Sequence, residues 1–366
     1  MQIIEIIRVL EDTAPLALQE NYDNSGLLTG KHEWECTGIL CTLDSTEEVV
    51  LEAKKRGCNL IVAHHPIIFG GLKKINGNNY VERTIITAIK NDIAIYAIHT
   101  NLDNVLEGVN NRIADKLGLI NRQILQVKSG QLMKLFTFVP VAYTEKIRLA
   151  LYGVGAGNIG EYTEVSFISE GIGKFKGSEK TSPFVGEPGK LHEEKESKIE
   201  VIFPAYLKNE VIKALFLAHP YEEVAYDIIS LCNDYQSVGS GLLGELPEEM
   251  EESGFFQMLT TSFQLKVIRH SPFLGKKLKK VAVCGGSGSF LTQKAIARGA
   301  DVYISSDIKY HEFFDADNQI LLADIGHWES EQYTPDLLIE ILQAKFPTFA
   351  VLKSEVITNP VNYFLD

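Results

Sequence analysis

The sequence predicts an α/β protein in which duplicated α/β lobes form the core and a ferredoxin-like α+β domain is inserted between them. Three observations carry this expectation. Short β-branched runs alternate with helical patterns through the first third of the chain, and the same alternation returns after Ala300. Between them the rhythm changes to one βαβ unit followed by another. With 366 residues the chain exceeds the usual size of one domain. The division expected is core lobe 1 over 1–127, the insert over 128–235 and core lobe 2 over 236–366.

The N-terminal run MQIIEIIRVLEDTAP has an amphipathic helical pattern, without the basic lead-in or cleavage site of a signal peptide. In lobe 1, strands are expected at Thr37 to Leu43, Asn59 to Ala63 and Ile93 to Ile98. Helical patterns begin at Glu47 and Val81 between them, and at Gly108 after the last. Repeated strand, helix, strand implies a parallel sheet with right-handed crossovers. Lobe 2 repeats the order as DVYIS, IKYHEFFDAD, QILLADI and a long helix ending near Ala344. The lobes read as copies. Cys41 and Cys284 each begin a turn and helix that ends in Arg-Gly (Arg56-Gly57 and Arg298-Gly299), then a strand, one more helix and one more strand. The insert contributes KLFTFVPV, TEKIRLALYGVG, EYTEVSFIS, KIEVIFPA, LKNEVIKALFLAH and EEVAYDIISL. Its polar stretch GKFKGSEKTSPFVGEPGKLHEEKES reads as a solvated loop.

Bulk properties exclude several classes. No stretch approaches the roughly 20 apolar residues of a membrane span. A formal charge of −13 would repel a phosphate backbone, which disfavours nucleic acid as a partner. The five cysteines form no C-x-x-C, and Cys41, Cys232 and Cys284 sit in apolar runs. This pattern implies buried thiols in a reducing cytoplasm.

The chemistry-bearing residues cluster at strand ends, where side chains of a parallel sheet emerge. AHHP follows NLIVA, HTNLD follows IAIYAI, and GHWESE follows QILLADI. Pro66 stops the ladder behind His64 and His65, so their imidazoles can point in different directions. His327 and Glu331 share one face if a helix begins at Gly326. Asp103 adds a second carboxylate, and carboxylates can bridge two cations. Three imidazoles with two carboxylates suit Zn, Fe, Mn or Co better than Mg or Ca, so two divalent ions are expected on His64, His65, Asp103, His327 and Glu331. His99 and His311 are expected to hydrogen-bond the ligands or to carry protons. Gly155-x-Gly157-x-x-Gly160 matches a dinucleotide fingerprint but follows a helix and leads into a strand, the reverse of what that mechanism requires. Cys284 to Ser289 has strand before and helix after, which leaves open a plain turn or an anion cradle.

Taken together, YDNSGLLTG, AHHPIIF, HTNLDN, GSGLLGELP, CGGSGS, DIKYHE and GHWESE resemble the Nif-three-like dinuclear-metal family, whose members commonly carry the name GTP cyclohydrolase 1 type 2 homologue. The resemblance spans nearly the whole chain. It implies two ions on the residues matching His64, His65, Asp103, His327 and Glu331, and a homohexameric ring with those sites facing an internal cavity. It further implies that the insert, with GVGAGNIGEY and HPYEEVAYDI, is the PII-like or CutA-like domain of the family's long form. The activity expected is metal-dependent hydrolysis of a nucleotide or similar small phosphorylated compound, with ring opening of GTP as the named reaction. The alternative is a non-catalytic regulatory or scaffold ring whose insert senses a ligand.

Overall fold

The computed structural model describes residues 1–364. The chain forms two compact units, a core of residues 1–127 with those from 237 onward, and an insert of residues 128–236.

The core contains two sheets of related design. In the first, Ile39–Thr42, Leu60–Ala63 and Ala94–Ala97 lie side by side and parallel, with Gly26–Thr29 antiparallel beside the last. In the second, Lys277–Ser287, Val302–Ser306 and Leu321–Asp324 are parallel neighbours, with Arg269–His270 antiparallel beside the last. All of Ile39–Thr42, Leu60–Ala63 and Ala94–Ala97 is buried, as continuous apolar strands covered on both faces require. Leu40, Ile61 and Ile95 pack beneath the helices Glu47–Lys55 and Tyr80–Lys90 through Val49, Val50, Ala53, Ile85 and Ala88. Thr46 caps the first of these by accepting the Val49 N–H, and Glu47 and Glu48 suit its positive end. The second sheet divides its side chains by alternation. Val281, Val283, Val302 and Ile304 face one cluster, and Ala282, Cys284 and Tyr303 face the other.

The sheets do not stop at the lobe boundaries expected from the rhythm. Val351–Lys353 pairs in parallel with Ile39–Thr42, so the C-terminal strand completes the first sheet. Ile120–Lys128 lies in the second sheet, beside Tyr235–Glu251. An open sheet edge leaves backbone groups unpaired, and each sheet is extended by a strand from the far end of the other lobe's sequence. IKYHEFFDAD forms a 3₁₀ segment, Tyr310–Ala316, and the long helix is Thr334–Lys345.

The insert has strands Leu132–Pro140, Phe167–Lys176, Leu191–Pro204 and Tyr226–Ser230, with helices Thr144–Tyr152 and Lys208–Ala218. The sheet is antiparallel throughout, in the order second, third, first, fourth, which is the ferredoxin-like βαββαβ topology. Leu135, Val139, Ile199, Val201 and Phe203 form its core with Ile147, Leu151, Val211 and Leu215. The polar stretch expected to be a loop is a loop only in its middle, and its two ends are strands of a hairpin. Ile172 pairs with Lys195 and Lys174 with Glu193, leaving only residues 177–190 as connection. Charged residues hide such strands from a pattern search because the partly covered face carries Phe175 beside His192 and Glu194, with no apolar alternation to mark it. Gly155, Gly157 and Gly160 lie in the connection after Thr144–Tyr152, all with positive φ. All five cysteines are free; Cys232, expected to be buried, is exposed, because it follows the edge strand Tyr226–Ser230.

Candidate metal centre

Six core segments end at one place. The parallel strands of the first sheet deliver Asp44 after Ile39–Thr42, His64 and His65 after Leu60–Ala63, and His99 after Ala94–Ala97. A one-turn helix, Thr100–Asp103, then brings Asp103 back toward His64. The second sheet delivers Asp307 after Val302–Ser306 and the short helix His327–Glu331 after Leu321–Asp324.

Hydrogen bonds set the orientation of each imidazole. Nδ1 of His64 donates to the Ile98 carbonyl at 2.8 Å. Nδ1 of His65 is 2.7 Å from Asp44 Oδ1, Nδ1 of His99 is 2.7 Å from Asp23 Oδ1, and Nδ1 of His327 is 2.6 Å from Asp307 Oδ2. Each acceptor holds a proton on Nδ1 and so turns the Nε2 lone pair inward, the arrangement by which proteins aim histidine ligands. Asp23 is itself fixed by the Asn24 and Thr100 N–H groups and by the Thr100 hydroxyl.

Glu331 divides its two oxygens. Oε2 lies 3.0 Å from His65 Nε2 and 3.3 Å from His327 Nε2, while Oε1 lies 3.8 Å from His64 Nε2. His64 Nε2 is also 3.6 Å from Asp103 Oδ1, and both of these buried atoms lack a hydrogen-bond partner. Unsatisfied buried polar atoms facing one another are costly unless something sits between them. Three overlapping groups are close enough to hold a metal ion: His64, Asp103 and Glu331; His65, His327 and Glu331; and His64, His65 and His99.

Charge points the same way. Asp23, Asp44, Asp103, Asp307 and Glu331 surround the four imidazoles of His64, His65, His99 and His327, an excess of negative groups that favours a cation. Burial opposes charge on His65, but Asp44 and Glu331 outweigh it and hold the imidazole pKa up at about 10. The same balance with Asp307 and Glu331 raises His327 to about 11. Asp103 is pushed up to about 7 by burial and by the neighbouring Glu331 charge. Glu331, although buried, is held well below the usual carboxylate range by His327 and His65.

The centre opens into a cavity of about 340 Å³ lined by His65, His99, Asp103, His327 and Glu331, with Tyr22, Phe69 and Phe290 among its other walls. Gly286 makes room for the carboxylate. Its φ is +59°, and a Cβ there would stand 2.5 Å from Glu331 Oε1. The CGGSGS turn is no open anion cradle at Gly285 and Gly286, because the Gly285 N–H donates to Asn110 and the Gly286 N–H to Ser330. Cys284 also lines the cavity, yet burial raises its thiol far above the range where a thiolate would form.

The family model described as Duf34/NIF3 (NGG1p interacting factor 3) matches residues 1–360. The chain belongs to the Duf34/NIF3 family. A relative from Halalkalibacterium halodurans named GTP cyclohydrolase 1 type 2 homolog is 38% identical over 363 residues, 98% of both chains. One of the same name from Bacillus subtilis is 37% identical over 365 residues, again 98% of both. Among solved structures, a Bacillus cereus protein related to NIF3 superposes with a TM-score of 0.87 at 39% identity, covering 100% of this chain and 99% of that one.

In this Duf34/NIF3 chain the structure gathers His64, His65, His99, Asp103, His327 and Glu331. It does not gather His311, which is exposed beside the rings of Tyr310 and Phe314 and is not among the cavity-lining residues. Asp23, Asp44 and Asp307 join the site without a local pattern that marks them as ligands or partners of ligands. Asp44 and Asp307 each follow a parallel strand of the core, and Asp307 holds the left-handed backbone (φ +54°), a signal of a functional turn.

Proposed function

We propose that this Duf34/NIF3 chain is a metal-dependent hydrolase holding two divalent ions and acting on a nucleotide or similar small phosphorylated compound. The observation that carries the proposal is the divided carboxylate of Glu331, whose Oε1 belongs with His64 and Asp103 and whose Oε2 belongs with His65 and His327. These two sets would hold one ion each, with the borderline nitrogen and oxygen donors that Zn, Fe, Mn or Co accept. When bound, such ions polarise substrate oxygens and lower the pKa of water. Asp44 and Asp307 keep the His65 and His327 lone pairs aimed inward. His99, held through Nδ1 by Asp23, presents Nε2 to the cavity, where it can take a proton from attacking water and return it to the leaving nitrogen. Tyr22, Phe69 and Phe290 line the same cavity and supply aromatic surface for a planar base. Ring opening of GTP is the specific reaction proposed, supported by the name that the relatives carry. The homohexameric ring is part of the same proposal, and light scattering of the full chain measures it.

The deciding experiment is a nucleotide and phosphorylated-metabolite turnover screen of metal-replete protein beside Glu331→Ala. Turnover of at least one compound by the first and none by the second supports the hydrolase. A metal-loaded protein that converts nothing would replace it with a regulatory ring.

A further inference from the structure

The insert carries a second cavity, of about 650 Å³, within the size range of small-molecule sites. Its walls come from the Phe167–Lys176 and Leu191–Pro204 hairpin, from residues of the connection between those strands, and from the segment around Tyr221. The apolar residues embedded in the polar stretch, Phe175 and Phe184, are turned into this space with Tyr221. Ring centroids lie 6.1 Å apart for Phe175 and Tyr221 and 6.3 Å apart for Phe184 and Tyr221.

One carboxylate faces these rings. Glu196 is only 8% exposed, and its Oε1 accepts the Tyr221 hydroxyl at 2.7 Å. Its Oε2 has no hydrogen-bond donor and Glu196 has no ion-pair partner among the described residues. Gly173 leaves that oxygen uncovered, since a Cβ there would stand 2.1 Å from it. Three lysines line the cavity; Lys198 is paired with Glu200 at 2.8 Å and Lys174 with Glu193 at 2.6 Å, and Lys176 forms no ion pair with Glu196 among the described residues. His219 supplies no charge either. Its Nδ1 accepts the Tyr221 N–H at 3.1 Å while Nε2 donates to the Phe138 carbonyl at 3.0 Å, the pattern of a neutral ring.

A buried carboxylate with one free oxygen and no ion-pair partner among the described residues is short of positive charge, and aromatic rings line the cavity beside it, a surrounding that suits a cation. We infer that this cavity of the insert is a binding site for an organic cation, an ammonium or guanidinium group on an aromatic or apolar body. The charged head would sit against Glu196 Oε2 and the body between Phe175, Phe184 and Tyr221. A bare metal ion is a poor occupant because a single carboxylate and three rings do not complete an oxygen shell. An anion is also a poor occupant, because Glu170, Glu196, Glu222 and Glu223 outnumber Lys174, Lys176 and Lys198 in the cavity lining and Glu196 is the buried one.

The test compares two probes of the same shape and opposite charge, 2-phenylethylammonium and 3-phenylpropionate, by saturation-transfer NMR and calorimetry on the full chain. The ammonium should bind and the carboxylate should not. Affinity should fall roughly tenfold or more in Glu196→Gln, which keeps the Tyr221 bond and the volume, and also in Phe184→Ala, whose half-exposed ring can be removed without opening the core. Binding should survive in Glu331→Ala, which separates this site from the core cavity. Equal binding of both probes, full binding by Glu196→Gln and Phe184→Ala, loss of binding in Glu331→Ala, or no ammonium binding up to about 10 mM would each overturn the inference.

Discussion

The two core lobes share a plan and differ in what they deliver. Each places three parallel strands in chain order with an antiparallel strand beside the third. Each ends its third strand in a histidine followed four residues on by a carboxylate, His99 with Asp103 and His327 with Glu331. The middle strands diverge. The first ends in His64 and His65, the second in Ser306 and Asp307, so one lobe supplies inward-facing nitrogens where the other supplies an orienting acid. The carboxylates diverge too. Glu331 is buried and reaches groups on both sides, whereas Asp103 faces His64 alone among the imidazoles within ion-pair distance. Duplication thus supplies a scaffold, and asymmetry at the strand ends makes it a site in which each lobe lacks what the other brings.

The largest expected effect tests that asymmetry. Glu331→Ala should strip nearly all divalent metal, and Asp103→Ala about half, because only Glu331 belongs to both ligand sets that contain a carboxylate. Elemental analysis of gently purified protein reads the difference, and equal loss in both variants would make the lobes equivalent. Next in size is the role of His99 against that of its copy. If His99 carries protons, His99→Gln should slow turnover by roughly 10²–10⁴-fold with metal content retained, while His311→Gln, outside the cavity, should change neither. Metal loss in His99→Gln would instead show it to be a ligand, as proposed for His327.

The orienting acids come third. Asp307→Asn and Asp44→Asn should each weaken metal affinity by about 10–100-fold, read by competition with a chelating dye. An unchanged affinity would mean that the Nδ1 bonds only decorate the rings. The pH dependence follows from the same bonds. With His65 and His327 raised to about 10 and about 11, the metal-free site holds two protons at neutral pH that a cation must displace from Nε2. Affinity should therefore climb with pH, by about tenfold per displaced proton per unit, with Asp103 adding a third proton below about pH 7. Calorimetry in buffers of different ionisation enthalpy counts the protons, and none released would break the account. The smallest effect concerns the joints where the lobes match best. Gly57 and Gly299 have φ of +74° and +70°, with open space around the Cβ position of the first and only Lys280 Nζ, at 4.0 Å, near that of the second, so alanine at either should cost about 1 kcal/mol and leave metal binding intact. Unequal shifts in thermal midpoint would show that the joints are under different strain.

Much of this architecture is written locally. Runs such as Leu60–Ala63 and Leu321–Asp324 are apolar on both faces because helices cover both, and that burial is what their composition encodes. The histidines stand out because they follow such runs without a break, and a strand end is a place in the fold as well as in the sequence. The partners that orient them are not marked in this way. Nothing near Asp23 announces His99, and the carboxylates that raise the His65 pKa lie 21 and 266 residues from it. The charged hairpin of the insert, the exposed Cys232, the exclusion of His311 from the cavity and the exchange of Val351–Lys353 and Ile120–Lys128 between sheets were equally silent. Periodicity reports how each segment meets water, and a sheet brings together segments that periodicity treats separately. By itself, the sequence determined which residues stand at the ends of strands; only the packing of two sheets in one core decided which of those ends face one another, because that depends on strand order and not on local composition.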